Sequence, residues 1–423
     1  MPANNNTDNL DLAKDAIVII DRVIKANEPG AKVREAIKRH KFSKNIYLSA
    51  IGKAAWTMAS AAYGELGSKV KRGIVITKYN HSQGDIPGIE VIEAGHPLSD
   101  ENTLAATQKI VDMAQSLGED DELVFLISGG GSALFELPLN GLSLKEIIDV
   151  NNQLLSCGAD IVEINKIRKR LSSVKAGRFA QICSPAKIFN IVMSDVLGDR
   201  LDSIASGPTA PDNSTVEETL DIVQKYKLSL SKTALECLNI ETPKSVKNTE
   251  TEFIGNVLAL CSCTAEIAAE LGYTPYVMCT EMNCEAREAG RMISAIAKQI
   301  NQSDYSYKSP CAIIFGGETV VTLKGSGKGG RNQELALSSA EGIACMDNII
   351  IFSFGSDGTD GPTDAAGGIV NGATYAKLNE IGLNYNGILD NNDSYNALKA
   401  IDGLIMTGPT GININDVAVI LCK

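Results

Sequence analysis

Ser128-Gly129-Gly130-Gly131-Ser132 sets three consecutive glycines between two hydroxyls. Backbone without side chains can approach an anion closely and turn successive N–H groups toward it. The run suits a phosphate or carboxylate; it also reads as a tight strand-to-helix turn, although three glycines exceed what a turn needs. Gly325-Ser326-Gly327-Lys328-Gly329-Gly330-Arg331-Asn332-Gln333-Glu334 adds cations to a loop that enters a helix near Asn332. Its amides, Lys328 and Arg331 would converge on an anion, unless the loop is simply solvated. The spacing Gly325-x4-Gly330 matches a P-loop, but Arg331-Asn332 stands where Lys followed by Ser or Thr is required, so that motif is rejected.

Carboxylates gather in two places. Ser356-Asp357-Gly358-Thr359-Asp360-Gly361-Pro362-Thr363-Asp364 carries Asp357, Asp360 and Asp364 close together. Such carboxylates repel unless a cation or several donors share them, and hard oxygen ligands beside phosphate loops suggest magnesium carried with a nucleotide. Asp-Gly is also ordinary turn punctuation. Asp195, in Ser194-Asp195-Val196-Leu197-Gly198-Asp199, could hold a metal, take a proton from an attacking hydroxyl, or cap the next helix.

Basic residues complete the set. Lys53, in Ile51-Gly52-Lys53-Ala54-Ala55, sits where a helix dipole disfavours a cation, a cost that is tolerable if it faces a bound anion. The stretch 165–178 holds Lys166, Arg168, Lys169, Arg170, Lys175 and Arg178. Arg168 and Lys175 are seven apart and share a helix face, which is either solvated or supplies a fork for a substrate carboxylate. His96, in Gly95-His96-Pro97-Leu98-Ser99-Asp100, reads as structural, and no Gly-x-Ser-x-Gly elbow accompanies it.

Positioning these groups requires strands that end just before them. Apolar runs at 45–50, 73–77, 122–127, 187–193, 274–278, 310–315 and 348–354 predict strands. They alternate with helical patterns at 52–66, 165–182, 265–271 and 332–344, the mark of parallel βαβ units. Several strands are apolar almost throughout, as expected where helices cover both faces. Glycines, aspartates and cations follow directly after them, and open α/β sheets bind ligands at the carboxyl ends of their strands. The polar, aperiodic segment 241–252 is the best domain boundary, dividing the chain into 1–240 and 253–423; 301–309 is a second polar break.

With 423 residues, 44% hydrophobic and 21% charged, the chain suits two α/β domains. A net charge of −12 argues against nucleic-acid or anionic-membrane partners. The polar residues 1–11 do not read as a signal peptide, and no stretch approaches a bilayer span, so a cytoplasmic location is expected. Ten cysteines form no Cys-x-x-Cys pair and read as small buried thiols; three histidines are too scattered for a zinc site.

In these residues the chain resembles the glycerate 2-kinases whose C-terminal part is the MOFRL domain. The likeness runs from about Asp15 to Leu421. It includes Gly52-Lys53-Ala54, Ala94-Gly95-His96-Pro97, residues 128–133, 165–180 and 194–209. It continues through Gly316-Gly317-Glu318-Thr319, residues 329–334, 356–368 and Thr407-Gly408-Pro409-Thr410-Gly411. Ala176 departs from the pattern where a second glycine is expected, and Arg170 where histidine is usual.

The resemblance implies two α/β domains with mostly parallel sheets, the N-terminal one Rossmann-like, with the active site in the cleft between them. It implies ATP-dependent, Mg²⁺-assisted phosphorylation of D-glycerate to 2-phosphoglycerate. Lys53 and Arg331 match the family's active-site Lys and Arg, and Asp195 joins them as the third catalytic candidate. Ser128, Gly129, Gly130, Gly131, Ser132, Gly327, Lys328 and Gly329 are expected to cradle the nucleotide. Arg168, Lys175 and Glu318 are expected on the substrate, and Asp195, Asp357 and Asp360 on the metal. The partners expected are small molecules, with a homo-oligomer left open. The rival readings are an NAD(P)H-dependent hydroxypyruvate reductase, which needs a Gly-x-Gly-x-x-Gly fingerprint that residues 128–132 lack, and a non-catalytic metabolite-binding protein.

Overall fold

The computed structural model describes residues 5–43, 45–300 and 307–423, with the side chains of 5–10 left out. The polar break expected at 301–309 therefore falls mostly outside the described residues, as does part of the polar segment 1–11. The chain forms two compact units, Pro29–Ile254 and Gly255–Lys423, the latter joined by the N-terminal helix Asn5–Ala26.

In the first unit six strands, β1 (Asn45–Ile51), β2 (Val70–Lys78), β3 (Ile89–Ala94), β4 (Asp121–Ile127), β5 (Lys187–Met193) and β6 (Thr249–Gly255), lie in the order β3-β2-β1-β4-β5-β6. β1 to β5 pair in parallel throughout. β4 and β5 are buried along their lengths after the first residue, because helices flank the sheet. This is the dinucleotide-fold strand order, whose direction of winding reverses between β1 and β4. Ser143, Asp160 and Thr215 each open a helix with a reciprocal capping box. The core behind β4 is closed by Phe125, Phe135 and Phe179, with centroids 5.0–5.7 Å apart.

The second unit carries β7 (Thr274–Met282), β8 (Cys311–Gly317), β9 (Ile349–Gly355), β10 (Gly367–Asn371), β11 (Leu404–Ile405) and β12 (Asp416–Cys422), ordered β11-β10-β9-β12-β8-β7. β7 and β8 are parallel, while β12 is antiparallel to both β8 and β9, and β10 to both β9 and β11. Four strands thus share one direction, and β10 and β12 run back between them. β12 therefore starts at the edge where β8 and β9 end.

Three expectations change. The helix at 165–182 is two helices, Ile161–Leu171 and Arg178–Cys183, because Ala176 (φ 55°) and Gly177 (φ 77°) turn left-handed between them. The boundary expected after 240 lies at the end of β6. The helix Asn5–Ala26, expected in the N-terminal domain, packs instead on the helix Val257–Glu270 and β9. Leu12, Ala16, Ile19, Ile20 and Val23 form its buried stripe, and Tyr273 donates to Asp15 at 2.6 Å. No described helix is long and apolar enough to cross a membrane. All ten cysteines are free, five of them buried.

Candidate functional site

In the first unit the chemistry collects where the winding reverses. Lys53 follows β1 and the glycine run follows β4, so the two flank the switch point. Their backbones are tied together. Lys53 N–H donates to Gly129 O at 2.9 Å, Ser128 N–H to Ile51 O at 3.0 Å, and Ala54 N–H to Ser128 Oγ at 3.1 Å. A Cβ on Gly52 would lie 2.3 Å from Ser128 Oγ, so that approach demands glycine. The N–H groups of Gly129 and Gly130 make no hydrogen bond among the described residues and remain available to an anion. Asp195 follows β5 on the same edge, half-buried.

Behind the glycine run lies a buried ionic cluster. Lys175 is fully buried and donates to Ser132 O and Phe135 O, both at 2.8 Å, while pairing with buried Glu136 at 3.1 Å. Burial pushes its ammonium down to about 8, with Glu136 acting the other way. Arg168 reaches the same Ser132 carbonyl at 3.4 Å, and burial lowers its pKa too. Ser132 Oγ meets Ser206 Oγ at 3.0 Å. Ala176, Ala205 and Ser206 all hold positive φ here, with Ala176 N–H donating to Ser206 O at 3.1 Å. Strain of this kind persists only where surrounding structure over-determines it.

In the second unit the helix Arg331–Ser339 begins directly after the glycine loop. Arg331 donates from Nε and Nη2 to the two oxygens of Asp416, at 2.6 and 3.1 Å, and from Nη1 to Glu318 at 2.7 Å. Burial opposes its charge, but Asp416, Glu318 and Asp360 together raise its pKa. Burial pushes Asp416 up to about 6 despite Arg331. Asp360 accepts Asn332 N–H at 3.2 Å and Gln333 N–H at 2.8 Å, capping that helix from a distant loop. Burial pushes it up to about 7 against those two donors. A cavity of about 650 Å³ is lined by Arg331, Asp357, Gly327 and Gly329, with Val320 and Leu323 as an apolar wall.

The expected residues divide accordingly. Lys53 and residues 128–132 come together in the first unit, with Asp195 on the same edge; Arg331, Glu318, Asp357, Gly327 and Gly329 come together in the second. Lys175 is not on a substrate-facing surface, because three protein partners already saturate its buried ammonium. Arg168 is half-buried, reaches the Ser132 carbonyl at 3.4 Å and leaves its Nε without a partner among the described residues. Asp360 caps a helix with one N–H on each oxygen, and it also lines the cavity. Asp357 is exposed, with one oxygen accepting Thr359 N–H at 2.9 Å. Lys328 lies 4.2 Å over the Tyr395 ring. The loop glycines are needed for packing: a Cβ on Gly325 or Gly327 would lie 2.4 to 2.5 Å from Asn391 backbone atoms, and one on Gly330 2.2 Å from Asp360 Cγ. Glu318 meets Arg331 and so serves the arginine.

Sequence reasoning missed Asp416 and Glu136, the acidic partners of Arg331 and Lys175, which no local pattern marks. His96, expected to be structural, lies beside the candidate site. A Cβ on Gly130 would sit 3.0 Å from His96 Cδ2 and Nε2 and 3.3 Å from Lys53 Cγ, so the imidazole lies directly against the glycine run. Its Gly-His-Pro context after a strand end was the available signal.

Comparison with known proteins agrees with this architecture. Residues 15–239 match the family described as a domain of unknown function, DUF4147, and residues 311–416 match the MOFRL family. A D-glycerate 2-kinase of Thermotoga maritima is 50% identical over 408 residues, covering 96% of this chain and 98% of its own. A glycerate 2-kinase of Pyrococcus horikoshii is 38% identical over 432 residues, 97% of both chains. The crystal structure of a glycerate kinase from Thermotoga maritima superposes with a TM-score of 0.95 at 50% identity, over 98% of this chain and 100% of that one. Because these likenesses span nearly the whole length of both partners, the chain belongs to the glycerate 2-kinase family with a C-terminal MOFRL domain.

Proposed function

We infer that this protein is a kinase that transfers the terminal phosphoryl group of ATP to the 2-hydroxyl of D-glycerate, giving 2-phosphoglycerate and ADP. The observation that carries the reading is the 50% identity, over 96% of the chain, to a D-glycerate 2-kinase. The local chemistry supports it. Phosphoryl transfer asks little covalent chemistry of a protein and depends on positioning and on neutralising charge at the migrating group. Lys53 and the free amides of Gly129 and Gly130 offer a cation and N–H donors at the switch point of the first sheet. Arg331, oriented by Asp416 and Glu318, offers a planar guanidinium at the wall of the second unit's cavity.

Mg²⁺ bound with a nucleotide uses one or two protein carboxylates and keeps several waters. Among the described residues no group of three or more His, Cys, Asp or Glu side chains could cage a metal alone, which suits an ion that arrives with its nucleotide. Asp357, exposed on the cavity, fits that part; Asp195, at the end of β5, is the second candidate. When bound, the ion would screen charge on the phosphates. Asp360, buried on the same cavity with one backbone N–H on each oxygen, is the less accessible carboxylate there.

A reductase reading is not favoured, although the first sheet has the dinucleotide strand order. The turn after β1 reads Gly52-Lys53-Ala54-Ala55-Trp56-Thr57, so the second and third glycines of the fingerprint are absent. The test is incubation with D-glycerate and MgATP, following ADP release and the phosphoglycerate isomer. Formation of 2-phosphoglycerate is expected; NADH oxidation with hydroxypyruvate and no ADP release would replace this reading with the reductase.

A further inference from the structure

The reading above leaves the imidazole of His96, at the switch point, without a task. It lies two residues beyond β3, on the edge where β1 and β4 also end. Its Nε2 edge faces the bare Cα of Gly130 beside the Lys53 side chain. His40 bonds Glu122 at 2.6 Å and His81 bonds the Lys53 carbonyl at 3.2 Å, but His96 has no hydrogen-bond partner among the described residues. A half-buried imidazole with both nitrogens unpartnered, held over a loop with two free amides, is placed to meet a ligand there.

The titratable basic groups around it are Lys53, Lys78 and His81, while the nearby Asp100 carboxylate is engaged by the Tyr79 hydroxyl at 2.6 Å and by Thr103 N–H at 2.9 Å. Burial first, then those three basic groups, hold the imidazole down to about 4. It is therefore neutral near pH 7, with a lone pair on one nitrogen.

Resting on the kinase reading, we propose that His96 is the base that accepts the proton of the substrate's 2-hydroxyl. As the bond between that oxygen and the terminal phosphorus forms, the bond from phosphorus to the departing ADP oxygen breaks. The hydroxyl proton passes to the neutral imidazole nitrogen and is released to solvent after product leaves. The polyphosphate charge, arriving beside Lys53, offsets the cations that suppress His96 and raises its basicity when it is needed. This assigns the proton to His96 and leaves Asp195 for the metal ion.

The experiment compares wild type, His96→Gln, His96→Ala and Asp195→Asn with D-glycerate and MgATP. His96→Gln is expected to lose about 10²–10⁴-fold in kcat with KM for glycerate within about threefold and an unchanged melting curve. Added imidazole is expected to restore part of the rate to His96→Ala. With only three histidines, the His96 ring signal is assigned by its loss in His96→Gln. Its titration midpoint is expected to rise when a non-hydrolysable ATP analogue binds. A kcat within about fivefold of wild type in His96→Gln overturns the proposal and leaves the kinase reading standing, as does a loss confined to KM. Wild type that forms no phosphoglycerate overturns both.

Discussion

Asp416 grips Arg331 side-on, through Nε at 2.6 Å and Nη2 at 3.1 Å, and so fixes the plane of the guanidinium. The grip exists because β12 runs antiparallel between β8 and β9 and delivers its first residue to their carboxyl ends. With Glu318 on Nη1, the arginine is surrounded by more negative than positive charge. Its value to an incoming phosphate is therefore as an oriented donor more than as an uncompensated cation.

Replacing Asp416 should disturb both orientation and stability. Asp416→Asn is expected to lower kcat by about tenfold or more, since a free arginine loses its preset geometry. Stability should fall by about 1–3 kcal/mol, because Arg331 is one-third exposed and can rehydrate. Urea unfolding and steady-state kinetics check both; unchanged kcat would show that the clamp does not position the arginine for catalysis.

Lys175 should behave as a structural ion. Lys175→Met leaves Glu136 buried without its cation and is expected to cost about 3–5 kcal/mol. Lys175→Met combined with Glu136→Leu should recover much of that loss. A raised KM for glycerate with an unchanged melting temperature in Lys175→Met would return the lysine to the substrate.

Ala176 pays for a left-handed turn that glycine adopts freely. With φ at 55°, Ala176→Gly is expected to stabilise the protein by about 1 kcal/mol, read as a rise in melting temperature. A fall in melting temperature would show that the backbone there is not strained.

Asp360 should leave a signature in the pH dependence of stability. Burial moves its carboxyl from 3.8 to about 7 in the folded chain. Between those values the folded state holds a proton that the unfolded state has lost, so its contribution is full below the lower value and declines as pH rises through the upper. The decline amounts to at most about 4 kcal/mol. Wild type should therefore lose stability relative to Asp360→Asn between pH 4 and 7 in denaturant titrations. Parallel curves would mean that the carboxylate is ionised when folded.

Legibility in the sequence followed burial and locality. The seven expected strands are all present; β4, β5, β8 and β9 are covered on both faces and apolar almost throughout, while β7 is largely exposed and is legible from its apolar residues alone. β3 alternates with glutamates, β10 opens on two glycines and β11 has two residues, so none carries that pattern. β12 is absent from the expected strands although it carries that buried apolar pattern, and its antiparallel insertion has no sequence signal. The glycine loops were visible as special, yet the reason for Gly325, Gly327 and Gly330 lies in contacts with Asn391 and Asp360, far along the chain. For the same reason Lys175, one cation in a basic run, could not be told from its neighbours until Glu136 was placed under it.

In the proposed reaction Lys53 and the glycine run beside it serve phosphoryl transfer to the 2-hydroxyl of glycerate. The most direct measurement is ³¹P NMR of D-glycerate and MgATP incubated with wild type and with Lys53→Ala. Wild type is expected to form 2-phosphoglycerate, and a folded Lys53→Ala protein to do so at a rate lower by about 100-fold or more. Equal rates from the two proteins, or no phosphoglycerate from wild type, would contradict it.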